Sequence, residues 1–393
     1  MNKNKVGKLN TCIWIRADAN EEIASGHLMR MLSVAAELEK LGAAVRFVLA
    51  DETSLKWMGR LNEHNAEELD ASGRKTSILN IPYGHPMKEL TSLAELLEQE
   101  IPDWILVDSY AVTAEWFNEL RNVLGEHGAD GTRIAYMDDM MAFDPPVNLV
   151  INYDPDTAEL EKFYHRSTMK LLGAQYAPLR EQFAGVVPVV RGVVKRILIS
   201  TGGTDPYGMG QLLEETVRDA APDVLMQTEI VHMGPGYPRV ENVAELLTSC
   251  DLAISAAGTT LYELCAAGVP TMTFSMSDNQ KLFAQKMAAA GAVSYLGDVR
   301  EEATRAKIMD IVTDWLRNRM EESDGRTQNK SMCLQERTLA AENGNETVRG
   351  QRLRQEESER MHVMTDGRGS RRIAAELCGM IKRCPQRNVI SAG

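Results

Sequence analysis

Ile13-Trp14-Ile15-Arg16-Ala17-Asp18 leads through the small-residue loop 19–25 into Gly26-His27-Leu28-Met29-Arg30. An apolar, strand-like run ends at a charged pair, crosses a loop and meets a histidine where a helix begins. From there Leu28, Met31, Leu32, Ala35 and Leu38 fall at helical spacing, and Gly42 supplies a stop. His27 therefore belongs to the first turn of a helix that follows a strand, the edge at which open α/β sheets keep their crevices. The partial positive charge of a helix start favours a neutral ring, and a neutral imidazole facing a crevice can take a proton as a general base. Capping the helix or holding a phosphate are the other uses of a histidine at this place.

The 393 residues suffice for two domains of ordinary size, and an apolar share of 44% supplies their cores. A net charge of −13 speaks against a nucleic-acid surface. The six cysteines, at 12, 250, 265, 333, 378 and 384, form no CxxC pair, which suits a reducing compartment and no structural zinc. Residues 1–10 are polar with no signal-like apolar run, and no stretch of about 18 apolar residues occurs. A soluble cytoplasmic protein is the expectation.

The first half alternates strand and helix patterns. Strand-like runs stand at 44–49, 77–81, 104–108, 134–139 and 147–152, with helical patterns at 90–100 and 113–124. The pattern loosens over 170–183, where a second domain is expected to begin. It restarts at Arg196-Ile197-Leu198-Ile199-Ser200 with a glycine turn behind it, followed by strand runs at 228–233, 251–255 and 271–275 between helices. This alternation predicts mostly parallel sheets covered on both faces, in two α/β domains with a cleft between them. The domains are expected at 1–175 and 176–320. Residues 321–362 hold nine acids and seven Arg or Lys with no Phe, Trp, Tyr or Ile, so a disordered charged insertion is expected there. Ile373, Ala374, Leu377, Met380 and Ile381 form one face of a closing helix within 363–385 that should dock on the folded body.

The strongest phosphate candidate is the turn Ser255-Ala256-Ala257-Gly258-Thr259-Thr260. Its bare backbone, two hydroxyls and following helix start all suit a diphosphate; an ordinary tight turn has the same small residues. Glu263, one helical turn on, can accept from ribose hydroxyls. Thr201-Gly202-Gly203-Thr204 is a second glycine turn at a strand end, without the lysine of a P-loop or GxGxxG spacing. Asn279 and Gln280 follow another strand end, where they can cap a helix or face the cleft. Asp18, Asp108, Asp138 and Asp139 close strands on the same edge, and Tyr110 stands beside them. No metal site is indicated by the spacing of the remaining histidines.

Taken in order, IRADANEEIASGHLMR (15–30), VDSY (107–110), YMDD (136–139), LLGAQYAPLREQF (171–183), ISTGGTDPYG (199–208), ISAAGTTLYELCAAGVP (254–270) and DNQ (278–280) resemble the UDP-2,4-diacetamido-2,4,6-trideoxy-β-L-altropyranose hydrolases of pseudaminic acid biosynthesis. The resemblance covers nearly all of 12–320, and 366–374 resembles the family's closing helix. It implies a GT-B-like fold, related to the MurG-type glycosyltransferases, of two Rossmann-like domains with parallel sheets facing a central cleft. It implies hydrolysis of the UDP-sugar at the anomeric carbon, in the service of surface glycan or flagellin glycosylation. The histidine of the family's G-x-G-H motif is its proposed general base and matches His27, with Ala24 where the family has its first glycine. The expected substrate- and nucleotide-binding residues are Arg16, Asp18, Gly26, Tyr110, Gly202, Gly203, Gly258, Thr259, Thr260, Glu263, Asn279 and Gln280. The partners implied are the UDP-sugar and water, with no cofactor, metal, nucleic acid or membrane. Because UDP leaves readily, one base that activates water can suffice, and direct attack inverts the anomeric centre.

Two other classes share these features. A glycosyltransferase would use the same nucleotide half and need an acceptor, whereas a hydrolase releases UDP without one. A non-catalytic nucleotide-sugar binding protein would bind UDP with no turnover.

Overall fold

The computed structural model describes residues 11–23, 25–63, 75–220, 228–238, 240–320 and 349–379. The chain divides into two compact units, 1–180 with 368–393, and 181–367.

The first unit holds a seven-stranded sheet in the order β3-β2-β1-β4-β5-β6-β7, with every pairing parallel. The strands are β1 (Cys12–Ala17), β2 (Ala44–Leu49), β3 (Lys75–Ile78), β4 (Trp104–Asp108), β5 (Arg133–Met137), β6 (Leu149–Asn152) and β7 (Met169–Leu172). Between them run α1 (Gly26–Lys40), α2 (Glu52–Glu63), α3 (Pro86–Leu97), α4 (Ala114–Glu126) and α5 (Thr157–Phe163). Central strands of a parallel sheet are covered on both faces, which is why CIWIRA and WILVD read as near-continuous apolar runs. Trp14, Ile105, Val107, Trp116, Phe117 and Leu120 meet in the core. The chain builds outward from β1 to β3, then crosses back to lay β4 on the other side of β1. The carboxyl ends of β1 and β4 thus flank a topological switch point.

The second unit repeats this design with a five-stranded parallel sheet, β12-β11-β10-β8-β9. Its strands are β8 (Arg196–Ser200), β9 (Glu229–Met233), β10 (Leu252–Ala256), β11 (Thr271–Ser275) and β12 (Ser294–Asp298). Its helices are α6 (Met209–Ala220), α7 (Val243–Ser249), α8 (Thr260–Ala267), α9 (Asp278–Ala289), α10 (Glu302–Arg305), α11 (Ile308–Met320) and α12 (Arg349–Met364). Ile197, Ile199, Leu213, Val217, Ile254, Phe274 and Trp315 form the core. Here β8 and β10 flank the switch point.

After α12 the chain returns to the first unit as α13 (Gly369–Leu377), which packs on α1. A Cβ at Gly369 would overlap the backbone of Tyr176 and Ala177, so only glycine allows this approach. Ser370 Oγ donates to the Leu179 carbonyl at 2.9 Å, which ties 177–180 to the first unit. The boundary therefore falls at 180/181, five residues beyond the expected one; the closing helix spans Gly369–Leu377, and 380–385 of its expected range lie outside the described residues.

The expected disorder of 321–362 is corrected over its last part. Residues 321–348 lie outside the described residues, but the rest belongs to α12, which packs on α8 and α11. Its order comes from polar burial rather than apolar bulk. Arg354, 2% exposed, donates to the carbonyls of Arg319, Arg191 (2.7 Å) and Gly192 (2.8 Å). Arg354→Met would leave three carbonyls unpaired, and stability should fall by roughly 2–3 kcal/mol. A urea midpoint unchanged from wild type would show that these bonds contribute nothing.

Candidate active site

His27 is the second residue of α1 and is 3% exposed. Strand pairing places its partner: Ala17 of β1 lies in register with Asp108, the last residue of β4. The Asp108 carboxylate, fully buried, thus faces the start of α1, and its Oδ1 lies 2.6 Å from His27 Nδ1. A carboxylate can only accept, so Nδ1 carries the proton, and in the neutral ring Nε2 keeps its lone pair. Arg30, one turn along α1, grips the same carboxylate. Its Nε donates to Asp108 Oδ2 at 2.6 Å and its Nη2 to Oδ1. Nη1 donates to Asp139 Oδ2 (2.6 Å) and to the Tyr153 hydroxyl (2.5 Å). The Tyr110 hydroxyl donates to the same Asp139 oxygen at 3.1 Å, and its ring stands edge-on to His27, centroids 4.3 Å apart.

Electrostatics fix the charge states of this group. Burial by itself would raise the Asp108 carboxyl; Arg30 and then His27 outweigh it and hold it at about 2. This depressed value means that the ion-pair stabilisation is complete above the ordinary carboxylate range. It is lost only as pH falls through about 2, so Asp108 stays ionised wherever the protein works. Burial also opposes the Arg30 charge, and Asp108 followed by Asp139 more than reverse this. Burial, reinforced by Asp139, pushes the Tyr110 phenol up, so it remains a hydrogen-bond donor.

In the second unit the two glycine turns meet. The loops behind β8 and β10 line one cavity of about 290 Å³, with Ser200, Thr201, Gly202, Gly203 and Thr204 on one side and Ala256, Gly258, Thr259 and Thr260 on the other. Met233, Gly234, Met276 and Gln280 complete it. A Cβ added at Gly202, Gly203 or Gly258 would meet no atom within 4 Å, so these glycines leave backbone bare to the cavity. At the entrance to α8 the amides of Leu261 and Tyr262 turn back onto the carbonyls of Gly258 and Thr259. The amides of Thr259 and Thr260 point ahead of the helix, where its dipole favours an anion. None of the lining residues is charged.

The structure thus unites Gly202, Gly203, Gly258, Thr259, Thr260 and Gln280 at one cavity, and Tyr110 with His27 at the other site. Glu263 and Asn279 stand outside the cavity lining, Asn279 exposed with its Oδ1 accepting from the Ser277 hydroxyl at 2.5 Å. Arg16 and Asp18 are buried and paired with each other at 2.6 Å. Arg16 also holds Glu89, and Asp18 accepts the Ala50 amide, so the pair ties the end of β1 to α3 and to the end of β2. Gly26 opens α1, and Ala24 lies outside the described residues. Arg30, Asp108, Asp139 and Tyr153 belong to the site and are absent from the sequence-based set of binding and catalytic residues. Locally, the sequence marks Asp108 and Asp139 only as acids that close strands, and Arg30 only as a residue three beyond His27 on one helix face.

Two Rossmann-like domains, each with a site at the switch point of its parallel sheet, define a GT-B-like protein. No family model matches the chain. It is 22% identical over 305 residues to an uncharacterized protein of Methanocaldococcus jannaschii, covering 68% of this chain and 56% of that protein. Over 190 residues it is 27% identical to the UDP-N-acetylglucosamine–N-acetylmuramyl-(pentapeptide) pyrophosphoryl-undecaprenol N-acetylglucosamine transferase of Solibacter usitatus, covering 40% of this chain and 48% of the transferase. A shorter match, 30% over 124 residues, joins it to spore coat polysaccharide biosynthesis protein SpsG of Bacillus subtilis, covering 26% and 36% of the two chains. The chain spans about half or less of the length of these relatives. Among solved structures it is similar to the calicheamicin glycosyltransferase CalG4 (TM-score 0.54, 15% identity, 95% of this chain and 99% of that one). It is similar also to the spinosyn rhamnosyltransferase SpnG complexed with thymidine diphosphate (TM-score 0.53, 15% identity, 95% and 100%). At such identities the likeness is one of fold. No helix among the described residues is long and apolar enough to cross a membrane.

Proposed function

We propose that this protein hydrolyses a UDP-sugar at its anomeric C–O bond, with UDP-2,4-diacetamido-2,4,6-trideoxy-β-L-altropyranose as the substrate that the sequence resemblance favours. The observation that carries the reading is the His27–Asp108 pair at the sheet edge of the first unit. Asp108 accepts from Nδ1 and fixes the tautomer, so Nε2 is the atom that takes a proton from water. As that O–H bond breaks, the water oxygen bonds to the anomeric carbon and the bond to UDP breaks. Its electrons leave on the β-phosphate oxygen. The cavity between the two glycine turns is the place for the diphosphate, where amides, hydroxyls and the start of α8 meet the charge that grows on it. Tyr110, Gln280, Glu263 and Asn279 are the residues proposed to contact sugar or nucleotide.

A GT-B glycosyltransferase is the second reading, favoured by the match to the N-acetylglucosamine transferase of Solibacter usitatus. Turnover in ¹⁸O-labelled water separates the two. Hydrolysis at carbon puts the label on the free sugar and releases unlabelled UDP with no acceptor present. Label on phosphate, or UMP as a product, would overturn attack at carbon. UDP release only on adding a sugar or lipid acceptor would establish a transferase.

A further inference from the structure

A base and its orienting carboxylate account for two members of the buried group in the first unit. Arg30 is the member that touches His27, Asp108, Asp139 and Tyr153 alike. Its guanidinium contacts Asp108, Asp139 and Tyr153 and lies 3.1 Å from His27 Nδ1, while Asp139 in turn holds Tyr110. It has no acceptor to offer and is 8% exposed. The charges in contact are one cation and two carboxylates, with two neutral phenols, so the resting cluster is one negative charge in excess. An imidazolium on His27 cancels that excess.

We propose that Arg30 is a positioning residue that sets the charge balance against which His27 takes its proton, with Asp139 as the opposing weight. The inference rests on the reading of His27 as a base. With Arg30 alone beside Asp108, the cluster would be neutral and would gain charge when the ring is protonated. With both carboxylates and no arginine, the ring would hold its proton so firmly that the base would be spent near neutral pH. The observed set lies between. Among the described residues, the other charged and titratable groups around the site are Arg16 with Asp18 and Glu89, Asp138, Tyr136, and Tyr83 with Glu22. They are the same in every variant below, so differences report on Arg30 and Asp139.

The test is a pair of variants that must move in opposite directions. In Arg30→Gln the acid limb of the kcat/KM profile should rise by about one pH unit, and kcat at neutral pH should fall roughly 30-fold with KM within about threefold. In Asp139→Asn, whose remaining carbonyl can still accept from Tyr110, the limb should fall by about half a unit. Arg30→Lys keeps the charge and loses the fork, so its limb should stay in place while kcat falls about tenfold. A merely structural role would lower activity in all three and move no limb. Titration of the His27 ring protons by NMR, assigned by their loss in His27→Gln, reads the same order directly without substrate. Shifts of the same sign in Arg30→Gln and Asp139→Asn, or none in either, would overturn the proposal. If Arg30→Gln fails to fold, as circular dichroism would show, Asp139→Asn decides alone: a downward shift supports the proposal and no shift overturns it. Wild-type turnover in His27→Ala would instead sink the base itself, leaving the NMR order to stand or fall separately.

Discussion

In His27→Ala, UDP release from the UDP-sugar should fall by about 10³-fold or more, with UDP affinity unchanged within about threefold. Positioned general bases contribute roughly 10²–10⁴-fold, and among the described residues the cluster around His27 offers no second imidazole and no free amine. Asp108 cannot substitute, because both its oxygens already accept, one from the ring and both from Arg30. Arg30, the larger of the two charges that lower it, still faces that carboxylate in the variant and keeps it a poor base toward water. UDP affinity should survive because every residue lining the cavity proposed for the diphosphate belongs to the second unit. Turnover is measured as acceptor-free UDP release, and affinity by calorimetry with UDP. Activity within tenfold of wild type would remove the base assignment. Loss of UDP affinity together with turnover would show that the variant had disturbed more than proton transfer.

The parts of this arrangement differ in how far they could be read from the chain. Apolar runs closed by small or acidic residues mark buried parallel strands, so β1, β2, β4, β8, β10 and β11 were legible together with the turns behind them. β7 was not. Met169–Leu172 is four residues long and half of them are only partly buried, too short a pattern to rise above a proline-containing stretch. His27 stood out because it follows a strand and opens a helix, a purely local fact. Asp108 lies 81 residues away, and its meaning depends on β4 lying beside β1 after a reversal of strand order. Before that pairing is known, Asp108 is one of four acids at strand ends. Arg16 and Asp18 are the converse case, since a charged pair at a strand end suggests a ligand and here the two are buried and paired with each other. Composition misled in α12 for a related reason. Charge density argues for disorder only when the charges have nothing to bind, and Arg354 finds three main-chain carbonyls.

The glycine turn behind β10 gives the second large effect. Gly258→Val should lower UDP affinity by about 100-fold while leaving the melting temperature within about 2 °C of wild type. The backbone at Gly258 does not occupy the left-handed region, so a β-branched residue adds no strain there. Its Cβ would meet no protein atom within 4 Å, which leaves the new side chain to project into the space where the diphosphate is placed. Displacing the anion from the Thr259 and Thr260 amides forfeits one or two charge-assisted hydrogen bonds, roughly 3 kcal/mol, and tenfold in affinity corresponds to about 1.4 kcal/mol. Gly234, in the same lining, behaves in the opposite way. It has φ of +153°, and a Cβ there would press on the Thr201 hydroxyl, so Gly234→Ala should lose stability as well as affinity. The contrast separates a filled binding site from a damaged fold, because only the first leaves the melting temperature in place. UDP affinity within threefold of wild type in Gly258→Val would move the diphosphate out of this cavity. The proposed place for the leaving group would then be lost, and the hydrolytic reading would fall with it.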